Sequence, residues 1–491
     1  MTTNGLYIWH KDNLQAATNG TWQGEFNKKS VKITTDTRII KQGDIFLAIK
    51  GDNFDGHAFI DVAQEKGAVA VIVDTVVDSK LPQLIVGDTK KALGLLGQYR
   101  RNEHHDLTVV ALTGSSGKTT TKEMIGSILG LIAPTLITRG NLNNDLGVPM
   151  MLLELTDEHR FAVMELGANH VGEIAYTSGL VRPDVACVLN IGTAHLGEFG
   201  GRTNIAKAKS EIYSGLTADG VAVVPFGDEF FEFLGESASG FTDQILTFGE
   251  TKIPIEQADL SDEDVQTLFE QGVTSVLMMG DLFADDIDIT PTGSTFTLNT
   301  NLEIDEIESL LVSLPFVGEH NVANALAAAT CAYALGVPLD LIVRGLEKAT
   351  PPKGRLTRIA FGEHTLIDDT YNANPTSMIA AAKVLEQEDL VKILVLGDIF
   401  ELGDVADDEH HRLGQDLAML AVDEIFGLGT HMAQMVRGAN EIRAIATHFN
   451  DKSDLLNALK SRLQEAKTAV LFKGSRGMKM ETLIEHLMSH R

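Results

Sequence analysis

Cysteine is nearly absent from this 491-residue chain: there are two, Cys187 and Cys331. Both lie in apolar runs, VACVLN and AAATCAYAL, so they read as buried thiols rather than a disulfide framework. Basic residues are also scarce. Lys and Arg total 40 against 68 Asp and Glu, a formal net charge of −28. Nucleic acid and anionic membrane surfaces are thereby excluded as expected partners. An anionic substrate would need local cations or metal ions to offset the global field. No run of about 18 apolar residues occurs, so no membrane span is expected. The opening MTTNGLYIWHKDN lacks a basic start followed by an apolar stretch, so no signal peptide is read there. A reducing cytoplasm is the expected location, and a monomer is the default expectation for assembly. Internal repeats and low-complexity tails are missing too.

What is present is an ordinary globular composition, 44% hydrophobic and 22% charged, long enough for roughly three domains at about 150 residues each. The pattern is α/β throughout. In residues 1–86, GDIFLAI (43–49), AVAVIV (68–73) and QLIV (83–86) read as strands, with a helix over 57–67 closed by Gly67. Residues 87–349 alternate strands (LTVVAL, FAVM, VACVLN, VAVV) with helices, the pattern of a parallel sheet flanked by helices. Within them, 225–305 is acidic and less regular and reads as an appendage, apart from a hairpin at IDITPTGSTFTL (287–298). The paired prolines of TPPKGR mark a hinge near 350. Residues 350–491 repeat the strand–glycine–helix pattern at KILVLG, DEIFGLG and AVLFKG, a Rossmann-like unit.

The chemistry begins at VVALTGSSGKTTTKEMIGSIL (109–129), a strand entering a glycine loop that opens a helix. The full phosphate-loop pattern G-x-x-x-x-G-K-S/T would place glycine at 112, where this chain has Leu112. Gly114, Gly117, Lys118 and Thr119 nonetheless supply the essential parts. Glycines permit close backbone approach, N–H groups converge on phosphate oxygens, the helix N-terminus and the lysine add positive charge, and the threonine hydroxyl suits magnesium. A glycine turn with an exposed lysine is the competing reading. Glu165 lies at the C-terminal end of a later strand, and His195 lies just beyond the next strand end. A carboxylate and an imidazole beside a phosphate loop suggest metal ligands. Lys209 follows in AKAKSEIY, with Lys207 as its rival.

These stretches resemble the Mur ligase superfamily, ATP-dependent amide-forming ligases of cell-wall synthesis. Its loop has the shortened form T-G-x-x-G-K-T, and Thr113–Thr119 matches it, so Leu112 is no defect there. The resemblance continues through TRGNLNNDLGVP (138–149), GEHNVANALAA (318–328), PKGR (352–355) and DDTYNANPTSM (368–378). TDTRIIKQGDIFLAIKGDNFDGH, LGDIFELG (396–403) and FKGSRGMKM (472–480) resemble the branch that adds D-Ala-D-Ala to UDP-MurNAc-tripeptide.

The resemblance implies three domains: an N-terminal UDP-sugar unit, a central ATP-binding unit and a C-terminal unit for the incoming amine. It implies ATP and Mg²⁺ as cofactors and UDP-MurNAc-tripeptide and D-Ala-D-Ala as small-molecule partners. It assigns the triphosphate to Thr113, Gly114, Ser115, Ser116, Gly117, Lys118, Thr119 and Thr120. One metal ion falls to Thr119 and Glu165, and a second to His195. Lys209 is implied as a carbamate (N6-carboxylated) supporting the second metal. Arg355 is the implied γ-phosphate clamp, Asn321 and Asn324 the adenine-side contacts with His320 as a further partner, and Asp369 the ribose or hinge contact. Asp36, Thr37, Arg38, Lys50, Asp55 and His57 fall at the UDP-sugar motifs. Asn141 and Asn144 are implied near substrate or metal-bound water. Tyr371, Asn372, Asn374 and Arg476 are candidates for meeting D-Ala-D-Ala. Competing readings are a Mur-type ligase adding a single amino acid, a folylpolyglutamate-synthase relative, a loop-containing kinase, and a nucleotide-dependent binding module without catalysis.

Overall fold

The computed structural model describes residues 5–51, 54–193, 196–254, 266, 274–301, 308–400 and 402–489. Three sheets, each with its own apolar core, follow one another along the chain. In the first, Ile33–Thr34, Ile45–Leu47, Ala70–Val73 and Gln83–Ile85 run parallel, and Thr21–Gln23 closes one edge antiparallel to Gln83–Ile85. The helix Thr89–Glu103 lies beyond the expected boundary at 86. It lends Ala92, Leu93 and Leu96 to the same core as Trp9, Leu14 and Ile45, while Gln98, Arg100 and Arg101 bond to backbone oxygens of Gly179, Leu155 and Val181.

The central sheet has nine strands. Its parallel members are apolar on both faces because helices cover both: Val109 to Leu112, Val163, Cys187 and Val223 are all fully buried. Thr108–Thr113 sits between Phe161–Glu165 on one side and Val185–Val188 on the other. The chain's crossovers therefore part to either side of it, leaving a crevice at the C-terminal edge of this strand, where open α/β sheets bind ligands. The helix Lys118–Leu129 then buries Met124, Ile125, Ile128 and Leu129 completely, while Ile132, expected on the same stripe, lies past the helix end and is exposed.

The expected appendage at 225–305 is corrected in large part. Ile245–Phe248 is a parallel strand of the central sheet, Leu282–Thr290 joins it in parallel where Phe248 meets Leu282, and Gly293–Thr300 and Ser309–Leu314 then extend that sheet antiparallel. Phe296 and Leu298 are fully buried in its core, so the hairpin expected at 287–298 is part of the sheet, while residues 255–265, 267–273 and 302–305 of that stretch lie outside the described residues. Within 225–305, the ribbon Glu250–Pro254 with Ser275–Met279 stands outside the sheet.

The third sheet has six strands, parallel except for its edge strand Thr357–Phe361. Cys187 and Cys331 are free and buried, and burial pushes the Cys187 thiol well up, reinforced by Cys331 beside it. Among the described residues, no helix is long and apolar enough to cross a membrane.

Candidate active site

Register explains why the site forms where it does. Leu112 pairs with Glu165 across one parallel neighbour, and Thr113 with Val188 across the other. The glycine loop, Glu165 and the 189–193 segment therefore leave the sheet at one level. Asn190 ties the loop to that segment, its Oδ1 accepting from Ser116 N at 3.0 Å. Ser115 Oγ accepts from Gly192 N at 2.9 Å. Gly117 has φ +79°, and a Cβ there would fall 2.1 Å from Asn324 Oδ1. Both the backbone and the space demand glycine.

Lys118 opens the helix and turns its Nζ onto Gly114 O at 2.7 Å. Loss of water lowers its pKa. Arg355 adds to that lowering and Glu165 opposes it. Thr119 Oγ1 donates to Glu165 Oε2 at 3.2 Å, and Asn143 Nδ2 donates to Glu165 Oε1 at 2.8 Å. Lys122, one turn after Lys118, is fully buried. Its Nζ donates to Thr138 O at 2.6 Å and lies 3.9 Å from Glu165 Oε2. Thr113 Oγ1 is buried without a hydrogen-bond partner, and Thr120 lines the adjoining cavity. His195 lies outside the described residues.

Lys209 is 2% exposed on the helix Arg202–Ser210, whereas its rival Lys207 is exposed. Burial, and next the charge of Lys118, hold the Lys209 ammonium well below its usual range. A buried amine pushed toward neutrality is the reactive form for adding CO₂.

Arg355 reaches this cluster from the C-terminal domain. Its Nη2 donates to Thr119 Oγ1 at 3.2 Å, and its guanidinium lies 4.6 Å from the Tyr371 ring centroid. Beside it opens a cavity of about 220 Å³ lined from both domains, by Ser116, Gly117, Asn321, Asn324, His320, Arg355, Asp369 and Lys473 among others. Asn324 Nδ2 donates to Asn321 Oδ1 at 3.0 Å and Asn321 Nδ2 to Val317 O at 2.8 Å. Asp369 and Lys473 end adjacent parallel strands in register, so their side chains meet at 2.6 Å. Burial raises the Asp369 pKa against the opposing pull of Lys473. The His320 imidazole is held down to about 4, by loss of water first and the Lys473 charge second.

The remaining candidates form two further groups. In the N-terminal domain, Asp36 to Arg38 and Lys50 follow adjacent parallel strands at one sheet edge. Arg38 forks onto Asp36 at 2.7 Å and holds its carboxyl down to about 2. Thr37 O accepts from Lys66 Nζ. His57 bridges Asp55 (2.6 Å) and Asp74 (3.2 Å). In the C-terminal domain, Asn372 O accepts from Lys473 Nζ and Asn372 Oδ1 from Arg476 N, beside Tyr371. Two asparagines already hold local structural jobs. Asn374 caps the helix Pro375–Glu386 through Ser377 N, and Asn144 Oδ1 accepts from Gly147 N. Asn141 is exposed, and its neighbour Asn143 touches Glu165 instead. Asn143, Lys122, Asn190 and Lys473 escaped the sequence reading. NLNND offers three asparagines with nothing to choose among them, and the others are ordinary residues until register brings them in.

Residues 31–94 match the Mur ligase family catalytic domain, 112–332 the Mur ligase middle domain, and 354–476 the Mur ligase glutamate ligase domain. The chain is 39% identical over 462 residues to UDP-N-acetylmuramoyl-tripeptide--D-alanyl-D-alanine ligase of Escherichia coli, covering 93% of this chain and 94% of that one. It is similar to the crystal structure of MurF from Acinetobacter baumannii, with a TM-score of 0.89 and 48% identity over 99% of this chain and 100% of that one. MurF ligase from Thermotoga maritima in complex with ADP superposes with a TM-score of 0.78 at 26% identity, covering 98% and 100%.

Proposed function

Because the chain belongs to the Mur ligase family, we propose that it joins D-alanyl-D-alanine to UDP-N-acetylmuramoyl-tripeptide, converting ATP to ADP and phosphate in peptidoglycan synthesis. The observation that carries this reading is the two-domain cluster in which Lys118 and Thr119 meet Arg355 over Glu165. A phosphoryl acceptor and an amine donor need such an arrangement, with one domain closing on the other to exclude water from a hydrolysable intermediate.

A carboxylate is a poor electrophile, since its charge is delocalised and its leaving group would be oxide. The tripeptide's terminal carboxylate oxygen attacks the γ-phosphorus and ADP leaves. The dipeptide amine then attacks the acyl carbon of the acyl phosphate. Phosphate leaves with the C–O bonding pair, and the nitrogen loses a proton. Lys118 and Arg355 supply fixed positive charge where the phosphoryl group transfers. Asn321 and Asn324 face the adenine side and Asp369 the ribose, with Lys473 holding Asp369 in place.

Magnesium suits the hard oxygens of Thr119 and Glu165, which sit 3.2 Å apart. Such sites use one or two protein ligands plus substrate phosphates. When bound, the ion screens the repulsion between triphosphate and carboxylate. His195 and a carbamate on Lys209 are assigned to a second ion. The buried, charge-disfavoured amine of Lys209 supports that assignment. Asp36, Thr37, Arg38, Lys50, Asp55 and His57 take the UDP-sugar, and Tyr371, Asn372 and Arg476 the dipeptide. Asn374 and Asn144 shape their loops as caps.

The test is product mass after incubation with ATP, Mg²⁺, UDP-MurNAc-tripeptide and either D-Ala-D-Ala or free L-Lys. A pentapeptide product with D-Ala-D-Ala alone supports the reading. A single-residue product, or none, overturns it.

A further inference from the structure

Gly197 lies in the short helix Leu196–Phe199 of the central domain, and its φ is not positive. Nothing in its own backbone asks for glycine. Alanine is preferred over glycine inside a helix by about 1 kcal/mol. The reason for glycine lies in the other domain. A Cβ on Gly197 would fall 2.6 Å from Gly403 N, 2.8 Å from Gly403 Cα and 2.8 Å from Leu402 C. A Cβ on Gly403, whose φ is +61°, would in turn meet Gly197 Cα at 3.0 Å. These are backbone atoms on both sides, and neither side can retreat easily. Phe199 is buried in the central core and Leu402 in the C-terminal core.

The contact touches the elements that matter for transfer. On the central side, the 189–193 segment upstream braces the glycine loop through Asn190 and Gly192. On the C-terminal side, Gly403 opens the short helical turn Gly403–Val405 and follows closely on Asp398 and Phe400, which are fastened to the 475 turn: Ser475 N donates to Asp398 O at 3.1 Å, and Phe400 N donates to Ser475 Oγ at 2.8 Å. The next residue, Arg476, donates its N–H to Asn372 Oδ1. A shift at Gly403 is thus handed to the loop assigned to the dipeptide. The contact is also separate from the Arg355–Thr119 bond, so the two domains meet away from that bond as well.

The geometry points to Gly197 and Gly403 as positioning residues: their backbone-to-backbone contact sets how closely the C-terminal domain seats the incoming amine against the activated carboxyl. This rests on the reading that the C-terminal domain holds D-Ala-D-Ala. A methyl group at 197 leaves both domains folded and holds them apart.

The experiment compares wild type, Gly197→Ala, Gly197→Val, Glu198→Ala and Arg476→Ala in the full chain. It reads kcat, KM for ATP, UDP-MurNAc-tripeptide and D-Ala-D-Ala, melting temperature, and scattering radius with an ATP analogue plus tripeptide substrate. Gly197→Ala is expected to melt no lower than wild type while kcat falls about 10-fold, and Gly197→Val to lose about 100-fold, since misplacements near 1 Å carry costs of that order. The KM for D-Ala-D-Ala rises more than that for the UDP substrate, and compaction on ligand binding is reduced. Glu198→Ala, exposed on the same helix, behaves as wild type. Wild-type kcat in both Gly197 variants overturns the inference. So does a loss of activity matched by a fall in melting temperature in Gly197→Ala, which would make the glycine a folding requirement. If Arg476→Ala leaves the dipeptide KM unchanged while the Gly197 variants slow turnover with unaltered melting, the contact stands and the dipeptide assignment falls.

Discussion

Arg355 Nη2 donates to Thr119 Oγ1 at 3.2 Å across the boundary between the central and C-terminal domains. A residue just past the hinge thereby touches the threonine that also bonds Glu165. Arg355 Nε is buried without a partner, so the guanidinium has capacity to spare for a phosphate.

Arg355→Ala should therefore lower kcat by about 10²–10³, the usual loss when one preorganised donor to developing charge is removed. Affinity for ADP should change much less, because ADP has no γ-phosphate. Arg355→Lys should recover only part of the rate, since an ammonium lacks the planar fork and the stack on Tyr371. Steady-state ADP release and calorimetric ADP binding check both halves.

A carbamate on Lys209 predicts a ¹³C resonance when the protein is equilibrated with ¹³C-bicarbonate. The signal should survive Lys207→Ala, because that side chain is exposed, and vanish in Lys209→Ala. Its persistence in Lys209→Ala would move the modification elsewhere.

How much of this was legible in the sequence follows from the range of each interaction. The strand into Gly114–Thr119 and the helix after it were readable, because apolar runs and glycines act locally. Lys209 is separated from Lys207 in the sequence only by the family resemblance, since the residues themselves do not say which face of their helix packs inward. The hairpin at 287–298 was readable from its turn, but its membership of the central sheet was not, because the pairing of Phe248 with Leu282 that attaches it joins residues far apart in the sequence. Asp369 was visible from its motif, but Lys473 lies 104 residues away and joins it only through strand register.

That pair supports a stability prediction. Lys473→Met strands a buried carboxylate, and breaking a buried pair by removing one partner costs about 3–5 kcal/mol. The double variant Asp369→Leu with Lys473→Met should regain most of the loss. Urea unfolding with a probe in the C-terminal domain reads the difference. Equal destabilisation in single and double variants would show that the two charges do not act as a pair.

His320 makes stability depend on pH in a defined window. Its pKa falls from the ordinary 6.5 to about 4 in the folded protein, by burial and the nearby Lys473. Between those values the unfolded chain binds a proton there and the folded chain does not. The contribution is thus complete above pH 6.5 and is lost as pH falls toward 4, with a limiting slope of about 1.4 kcal/mol per pH unit for one proton. His320→Gln removes the titrating group, so its unfolding free energy should fall less steeply over that range than wild type. Parallel curves for the two proteins, or an NMR titration of His320 near 6.5, would refute the assignment.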